Sequence, residues 1–404
     1  MKYIRTYDDY ESYKAEYSDT SRGFRLKPTL YKYSEAGDHV HLEIDDPRKH
    51  GDSTYMEITL DSDAEFSFYI GNAPDDTQTT MNCSIDWGDG TVETKTIAKD
   101  DKGFKLAHSY VTGSYKIELY DVERGYSIVG DAANYKSLIS HPSSVKRVVL
   151  GSDVVSIGVG VFGHCTSLNS VYIPEGVTTI GYNTFYSCSS LTSVYIPESV
   201  NNIGTQAFYG CSSLTSVYIP KSVNSIGHSA FKNCSSLTSV YIPESVNSIR
   251  DWAFSNCTSL TSVYIPSSIT LISSYVFKDC TSLTSVCIPN SVTEIGWLVF
   301  YGCTSLTSVL IPSSVTVIGD SAFFSCTSLT SVLIPSSVTA IGESAFNSCS
   351  LTHISSFNTT APTLGDSVFE NLPANGTLHI KPGATGYDAW MSKLPEGWRI
   401  VEDL

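Results

Sequence analysis

Charged side chains are scarce in the second half of this 404-residue chain. Residues 154–350 contain only 12 of them, whereas residues 1–130 contain 25 acids and 15 bases. The formal net charge of −16 argues against a nucleic-acid partner, because phosphates require a basic surface. The surface of residues 154–350 must therefore consist mainly of hydroxyl and aromatic groups.

Long apolar segments are also missing. No run of about eighteen apolar residues occurs, so the sequence predicts no membrane-spanning helix. Residues 1–10 lack the apolar core of a secretion signal. We therefore expect either a mature form or a protein that leaves the cell by another route, such as lysis.

The motifs of common catalytic sites do not occur in the sequence. There is no H-E-x-x-H zinc motif, G-x-S-x-G elbow, P-loop or Rossmann glycine pattern. His164 and Cys165 are adjacent, which points their side chains in different directions and disfavours a thiol nucleophile with a histidine base. No C-x-x-C metal-ligand spacing is found. We predict a protein that is not an enzyme and that requires no metal or cofactor.

What the sequence does contain is a unit of 23 residues repeated nine times, which predicts a solenoid. One cysteine marks each unit: Cys165, Cys188, Cys211, Cys234, Cys257, Cys280, Cys303, Cys326 and Cys349. We interpret these cysteines as a column of small buried thiols, since free cysteine packs as a compact apolar residue. Partial disulfides between adjacent coils are the alternative.

One coil illustrates how the unit folds. Leu191, Val194 and Ile196 are expected to face the core, whereas Ser193 and Tyr195 point outward from a short strand. A single coil cannot bury its apolar side chains alone. Stacked coils share one core and place a parallel sheet along one side.

The repeated L-x-x-V-x-I-P-x-x-V-x-x-I-G-x-x-A-F-x-x-C pattern covers residues 145–369. It resembles the BspA-like leucine-rich repeats of bacterial and protist surface proteins. The resemblance implies a mainly β fold, with a right-handed solenoid of short parallel strands and turns. Residues 370–404 are expected to cap its end, with a strand at 378–382, a helix near Trp390, and Trp390 and Trp398 in the cap core.

Residues 39–124 have a different pattern, with alternating strands and the sequence W-G-D-G-T at 87–91. Together with H-S-Y at 108–110 and G-S-Y-K-I at 113–117, this resembles the PKD family of immunoglobulin-like β-sandwiches. The resemblance implies a rigid spacer, followed by a linker and amino-terminal cap at residues 125–144. Asp86 and Asp89 bonding the turn amides is the preferred interpretation, and calcium ligation by them is the alternative.

Residues 1–38 are predicted to form an attachment segment. Tyrosines spaced by three and four residues indicate a short amphipathic helix, namely Tyr3, Tyr7, Tyr10, Tyr13 and Tyr17. The helix is expected either to dock on the sandwich or to join the protein to a larger assembly. The stretch from Leu26 to Leu42 also faintly resembles structural proteins of phages of gut bacteria.

Two surfaces of the solenoid are candidate ligand-binding sites. The first is an outward column of Tyr172, Tyr195, Tyr218, Tyr241 and Tyr264, continued by Cys287, Leu310 and Leu333. This column suits a sugar chain or a protein strand, although stacked tyrosines would also simply stabilise the sheet. The second surface contains Trp252 and Trp297, two bulky residues that the repeat does not require.

These features predict an extracellular recognition or adhesion protein that binds a cell-surface protein or glycan. Residues 1–38 would attach it to a bacterial cell surface. The alternative is a structural or decoration protein of a phage particle, in which the repeats give reach. No nucleic acid and no membrane span are expected in either case.

Overall fold

We describe the fold from a computed structural model that covers residues 30–33, 39–42, 53–72, 79–99, 103–120, 122, 126–130 and 137–404. The chain divides into two units, residues 1–52 and 53–404. In the first unit, β1 (Leu30–Tyr33) pairs with β2 (His39–Leu42) in an antiparallel hairpin. The helix predicted from the tyrosine spacing lies outside the described residues. Within the described residues, no helix is long and apolar enough to cross a membrane.

The second unit begins with a β-sandwich. Its strands are β3 (Thr54–Leu60), β4 (Ala64–Asn72), β5 (Thr80–Asp86), β6 (Val92–Ala98), β7 (Phe104–Tyr110), β8 (Gly113–Tyr120) and β9 (Tyr126–Ile128). Strands β3, β8, β5 and β6 form one antiparallel group, and β4 pairs with β7 and β9 in the other sheet. Alternate side chains such as Phe66, Phe68 and Ile70 are buried, as period-two patterning predicts.

Each coil of the solenoid then adds one strand to a first parallel row. These strands are β10 (Val145–Val149), β12 (Ser170–Tyr172), β14 (Ser193–Val194), β16 (Ser216–Tyr218), β18 (Ser239–Tyr241), β20 (Ser262–Tyr264), β22 (Ser285–Cys287), β24 (Ser308–Leu310), β26 (Ser331–Ile334), β28 (His353–Ser356), β30 (Thr377–Ile380) and β31 (Arg399–Glu402). Equivalent residues of neighbouring coils pair in register, for example Ser239 with Ser262 and Tyr241 with Tyr264. The predicted mainly β solenoid with short parallel strands is confirmed.

A second row runs along the adjoining side of the coils. It contains β11 (Val154–Ile157), β13 (Thr179–Ile180), β15 (Asn202–Ile203), β17 (Ser225–Ile226), β19 (Ser248–Ile249), β21 (Leu271–Ile272), β23 (Glu294–Ile295), β25 (Val317–Ile318), β27 (Ala340–Ile341) and β29 (Thr363–Leu364). This row is interrupted between β19 and β21, which belong to different sheets.

The interruption has a steric cause. A glycine follows the row in most coils and lies tightly against the preceding coil, so that a Cβ on Gly227 would lie 2.5 Å from the carbonyl carbon of Gly204. Arg250 and Ser273 occupy this position in the two coils that separate. Their Cβ atoms keep the coils apart, and the bond equivalent to Gly227 N–H to Ile203 O (2.8 Å) is missing between Ser273 and Ile249 in this described stretch.

The core of the solenoid is built of columns of identical residues. Ten stacked phenylalanine rings run from Phe162 to Phe369, with successive centroids 5.2 to 6.3 Å apart. The nine repeat cysteines are buried free thiols, which confirms the buried column. From Cys188 to Cys349, each thiol donates to the carbonyl of the phenylalanine 26 residues earlier, at 3.0 to 3.3 Å.

The sandwich and the solenoid share their sheets. Strand β10 pairs antiparallel with β3 on one side and parallel with β12 on the other. Strand β11 pairs with β9 of the second sandwich sheet. The predicted linker at 125–144 therefore contains β9 and a short 3₁₀ turn at Pro142–Ser144. The sandwich covers the apolar end of the first coils.

The carboxyl end is closed by strand β30, the short helix α1 (Asp388–Met391) and β31. Trp390 and Trp398 are buried, and their indole nitrogens donate to the carbonyls of Pro362 (3.0 Å) and Pro373 (2.8 Å). The predicted strand, helix and buried tryptophans of the cap are confirmed. Both tryptophans serve the core.

Candidate binding surfaces

The strand face is the outward side of the first row, from β12 to β26. Its tyrosines stack along the solenoid, with centroids 6.4 Å apart for Tyr172 and Tyr195, and 6.1 Å apart for Tyr241 and Tyr264. Their interplanar angles are 12° and 7°. The sequence-predicted column therefore exists as a ladder of nearly parallel rings.

The ladder is linked to carboxylates of the preceding coil. Three tyrosine hydroxyls donate to glutamates twenty residues earlier: Tyr195 to Glu175 (3.2 Å), Tyr218 to Glu198 (3.0 Å) and Tyr264 to Glu244 (2.7 Å). Burial, followed by the hydrogen bond to Glu244, raises the pKa of Tyr264 to about 12. Burial and then the charge of Glu175 raise the pKa of Tyr195 as well. These phenols are neutral hydrogen-bond donors at physiological pH.

Exposure increases along the face. Tyr172 to Tyr241 are half-buried, whereas Tyr264 is 45% exposed and Leu310 is 62% exposed. Cys287 and Leu333 are also exposed. We call Tyr264, Cys287, Leu310 and Leu333 the apolar patch. The first three lie in register on adjacent strands.

The sequence pattern identified the tyrosines as the main candidates, and it noted the two leucines only as their continuation. The structure gives the leucines the greater accessible area. The signal for this was already present in the chain: an aliphatic residue at an outward strand position has no hydroxyl with which to bind the preceding turn. The glutamate spacing of twenty residues was a second signal that pattern reasoning missed.

The tryptophans lie on the turn side, after the glycine position. The Trp252 ring lies between Lys232 of the preceding coil, whose Nζ is 3.8 Å from its centroid, and Tyr275 of the following coil, whose ring is 4.0 Å away at 6°. Trp297 is 57% exposed and occupies the repeat position before that of Trp252. The backbone N–H of Tyr275 donates to the Trp297 carbonyl at 2.9 Å, so the two aromatic positions are on adjacent coils.

The sandwich turn uses its acidic residues internally. Asp86 accepts the Gly88 N–H at 2.8 Å, and Asp89 accepts the Thr91 N–H at 2.9 Å. The second oxygen of Asp89 lies 2.8 Å from His108 Nε2. That hydrogen bond, followed by the one from Thr91, lowers the pKa of Asp89. Both carboxylates are thus engaged in the turn, which favours the spacer interpretation over calcium ligation.

The stacked coils, parallel strands and capped ends define a leucine-rich-repeat solenoid. The model of the BspA type leucine rich repeat region matches residues 138–261 and 247–375, and the chain belongs to this family. This confirms the resemblance derived from the repeat. No match was found among curated proteins.

Several solved structures are similar. A leucine-rich repeat protein from Bacteroides ovatus has 29% identity and a TM-score of 0.57, covering 69% of this chain and 72% of that one. A Treponema pallidum leucine-rich repeat protein has 29% identity and a TM-score of 0.39, covering 45% and 83%. A leucine rich cell surface protein from Faecalibacterium prausnitzii has 23% identity and a TM-score of 0.36, covering 79% and 98%.

Proposed function

We propose that this protein is a non-enzymatic, surface-displayed recognition protein whose strand face binds a protein on another cell. The observation that carries this proposal is the apolar patch. Leu310 is 62% exposed and Leu333 is 38% exposed on a hydrogen-bonded sheet. Exposed apolar side chains grouped on a rigid surface are typical of interaction sites.

The surroundings of the patch suit a protein partner. The patch continues into the tyrosine ladder, whose hydroxyls and glutamates form a polar margin. Ser285 and Ser308 beside it are exposed. An apolar centre with a polar rim is the usual arrangement in protein interfaces, and leucine gains more from burying another apolar side chain than from contact with a hydroxylated sugar.

The remaining segments support display. The sandwich continues the sheet of the solenoid through the β3–β10 pair, so a PKD-like spacer and the recognition module would move as one body. Residues 1–38 would provide the attachment, and the cell-surface description of the Faecalibacterium protein agrees with an extracellular location. The alternative role in a phage particle depends on residues 1–38 and stays a prediction.

The test is binding of the fluorescently labelled full chain to cultured epithelial cells. Leu310→Ser and Leu333→Ser should each weaken binding roughly tenfold, because each removes the burial of one leucine side chain. Leu271→Ser is the matched control, since Leu271 is 46% exposed but lies in the second row. Trypsin treatment of the cells should abolish binding if the partner is a protein.

Two outcomes decide against the proposal. Folded Leu310→Ser that binds as well as the unsubstituted chain would exclude the apolar patch. Binding that survives trypsin but is lost after glycosidase treatment would assign the partner to the glycans. Replacement of Tyr195, Tyr218 and Tyr241 together by serine separates the ladder's two roles, because unchanged binding with lower stability would make it purely structural.

A further inference from the structure

A second site is indicated by the positive charges of the solenoid. Residues 154–350 contain four basic side chains, Lys221, Lys232, Arg250 and Lys278. Lys278 is paired with Asp279 at 2.5 Å. Lys232 and Arg250 have no carboxylate partner among the described residues. In a chain with a net charge of −16, these unpaired cations are unusual.

Both cations lie beside the aromatic side chains of the turn side. Lys232 Nζ lies over the Trp252 ring, and Arg250 begins the same turn, since its carbonyl accepts the Ala253 N–H at 3.2 Å. Burial, and then the charge of Lys278, lower the pKa of Lys232. A bound anion would relieve that repulsion. The exposed Asp251 leaves the group with one net positive charge when Lys278 and Asp279 are counted as neutral together.

Trp297 supplies an open aromatic surface on the same side. It is 57% exposed and has no stacked ring partner among the described residues. Its coil carries the residue bonded to Tyr275, which in turn stacks on Trp252. We call Lys232, Arg250, Trp252, Tyr275 and Trp297 the turn-side cluster.

We propose that the turn-side cluster binds a carboxylated polysaccharide. One sugar ring packs against the indole of Trp297, and carboxylates of neighbouring sugars accept hydrogen bonds from Arg250 and Lys232. Guanidinium and ammonium donors make strong charge-assisted bonds to carboxylates. The coils repeat at about 5 Å, the spacing of paired strands, which is comparable to the length of one pyranose residue.

The repeat itself shows which members of the cluster the fold does not need. Neighbouring coils have Gly227 where Arg250 stands and Ser274 where Trp297 stands. Arg250 helps to interrupt the second row, as described above. Trp252 is accounted for by its stack on Tyr275, which bridges the separated coils. Arg250 and Trp297 have no such structural role, so they carry the binding argument.

The experiment is a titration of the full chain with polygalacturonate at low ionic strength, followed by isothermal calorimetry and tryptophan fluorescence. Arg250→Gly and Trp297→Ser restore residues that adjacent coils already accommodate, so both variants are expected to fold. Each should weaken binding roughly tenfold, the value of one charge-assisted bond or one lost stacking surface. Leu310→Ser on the strand face should leave this binding unchanged.

Three comparison polymers make the result decisive. Neutral dextran should not bind, and poly-L-glutamate and dextran sulfate should bind at least roughly tenfold more weakly than polygalacturonate. Equal binding of poly-L-glutamate would make the partner an acidic peptide, and equal binding of dextran sulfate would reduce the effect to unspecific charge attraction. Either result overturns the proposal, as does undiminished polygalacturonate binding by folded Arg250→Gly and Trp297→Ser. The outcome is independent of the strand-face proposal, because the two sites lie on different sides of the coils.

Discussion

The buried cysteine column should make the solenoid sensitive to alkali. Burial raises the pKa of the array thiols, to about 12 for Cys211 and Cys257. In the unfolded chain a cysteine thiol ionises near pH 8.5. Because the folded-state pKa is higher, the stabilisation is complete below about pH 8.5 and is lost as the pH rises toward the folded-state value.

The size of the effect follows from proton linkage. Above the unfolded-state pKa, each thiol lowers the free energy of unfolding by about 1.4 kcal/mol per pH unit. At pH 10 this amounts to about 2 kcal/mol for every coil that unfolds. Since one thiol is present per coil, coils that unfold together add their contributions. A domain with ordinary stability of about 5 to 15 kcal/mol would not tolerate many such losses.

The assay is urea unfolding between pH 8 and pH 10 with a reducing agent, followed by circular dichroism. The midpoint should fall steeply with pH, and Cys234→Ser with Cys257→Ser should reduce the slope, because serine does not ionise in this range. Cys287→Ser is the control, since that thiol is exposed in the folded protein. A midpoint that is constant over this range, or a slope unaffected by the paired substitution, would refute the reasoning.

Three further predictions concern single positions. Gly227→Ala places a Cβ 2.5 Å from the backbone of the preceding coil and should cost about 1 to 3 kcal/mol, so an unchanged melting temperature in calorimetry would contradict the proposed packing. Iodoacetamide should modify only Cys287 in the folded protein, and mass spectrometry showing two or more labels would disprove burial of the column. Tyr110→Phe removes a buried hydrogen bond to the Trp87 carbonyl (2.9 Å) and should destabilise the sandwich by about 1 to 2 kcal/mol in urea unfolding. Tyr115→Phe removes an exposed bond and should have the smaller effect; equal losses would show that burial does not determine the difference.

The repeat allowed the solenoid to be predicted from the sequence because every coil places the same residue in the same surroundings. The buried state of one cysteine or phenylalanine therefore applies to all of them. The sharing of sheets between sandwich and solenoid was not predictable in this way. The pairing of Val148 with Met56 joins two segments outside any repeat, and its register depends on how both ends meet.

The strand face was predictable in part. Alternation along the strand identified the outward positions, and the rings do stack there. Alternation says nothing about the turn above the strand, where Glu175 and Glu198 reach the hydroxyls of the following coil. Those contacts explain why the tyrosines are half-buried and why the exposed leucines became the stronger candidates.

The interruption of the second row connects stability with function. Replacing glycine by Arg250 and Ser273 removes an inter-coil backbone bond, and the stack of Trp252 on Tyr275 at 4.0 Å is the contact that holds the separated coils together. Departures from a repeat that are matched by such a contact can be understood from packing alone. Trp297, at 57% exposure, is matched by none. Because exposing an indole to water is unfavourable unless something covers it, a departure of this second kind is where a ligand should be sought.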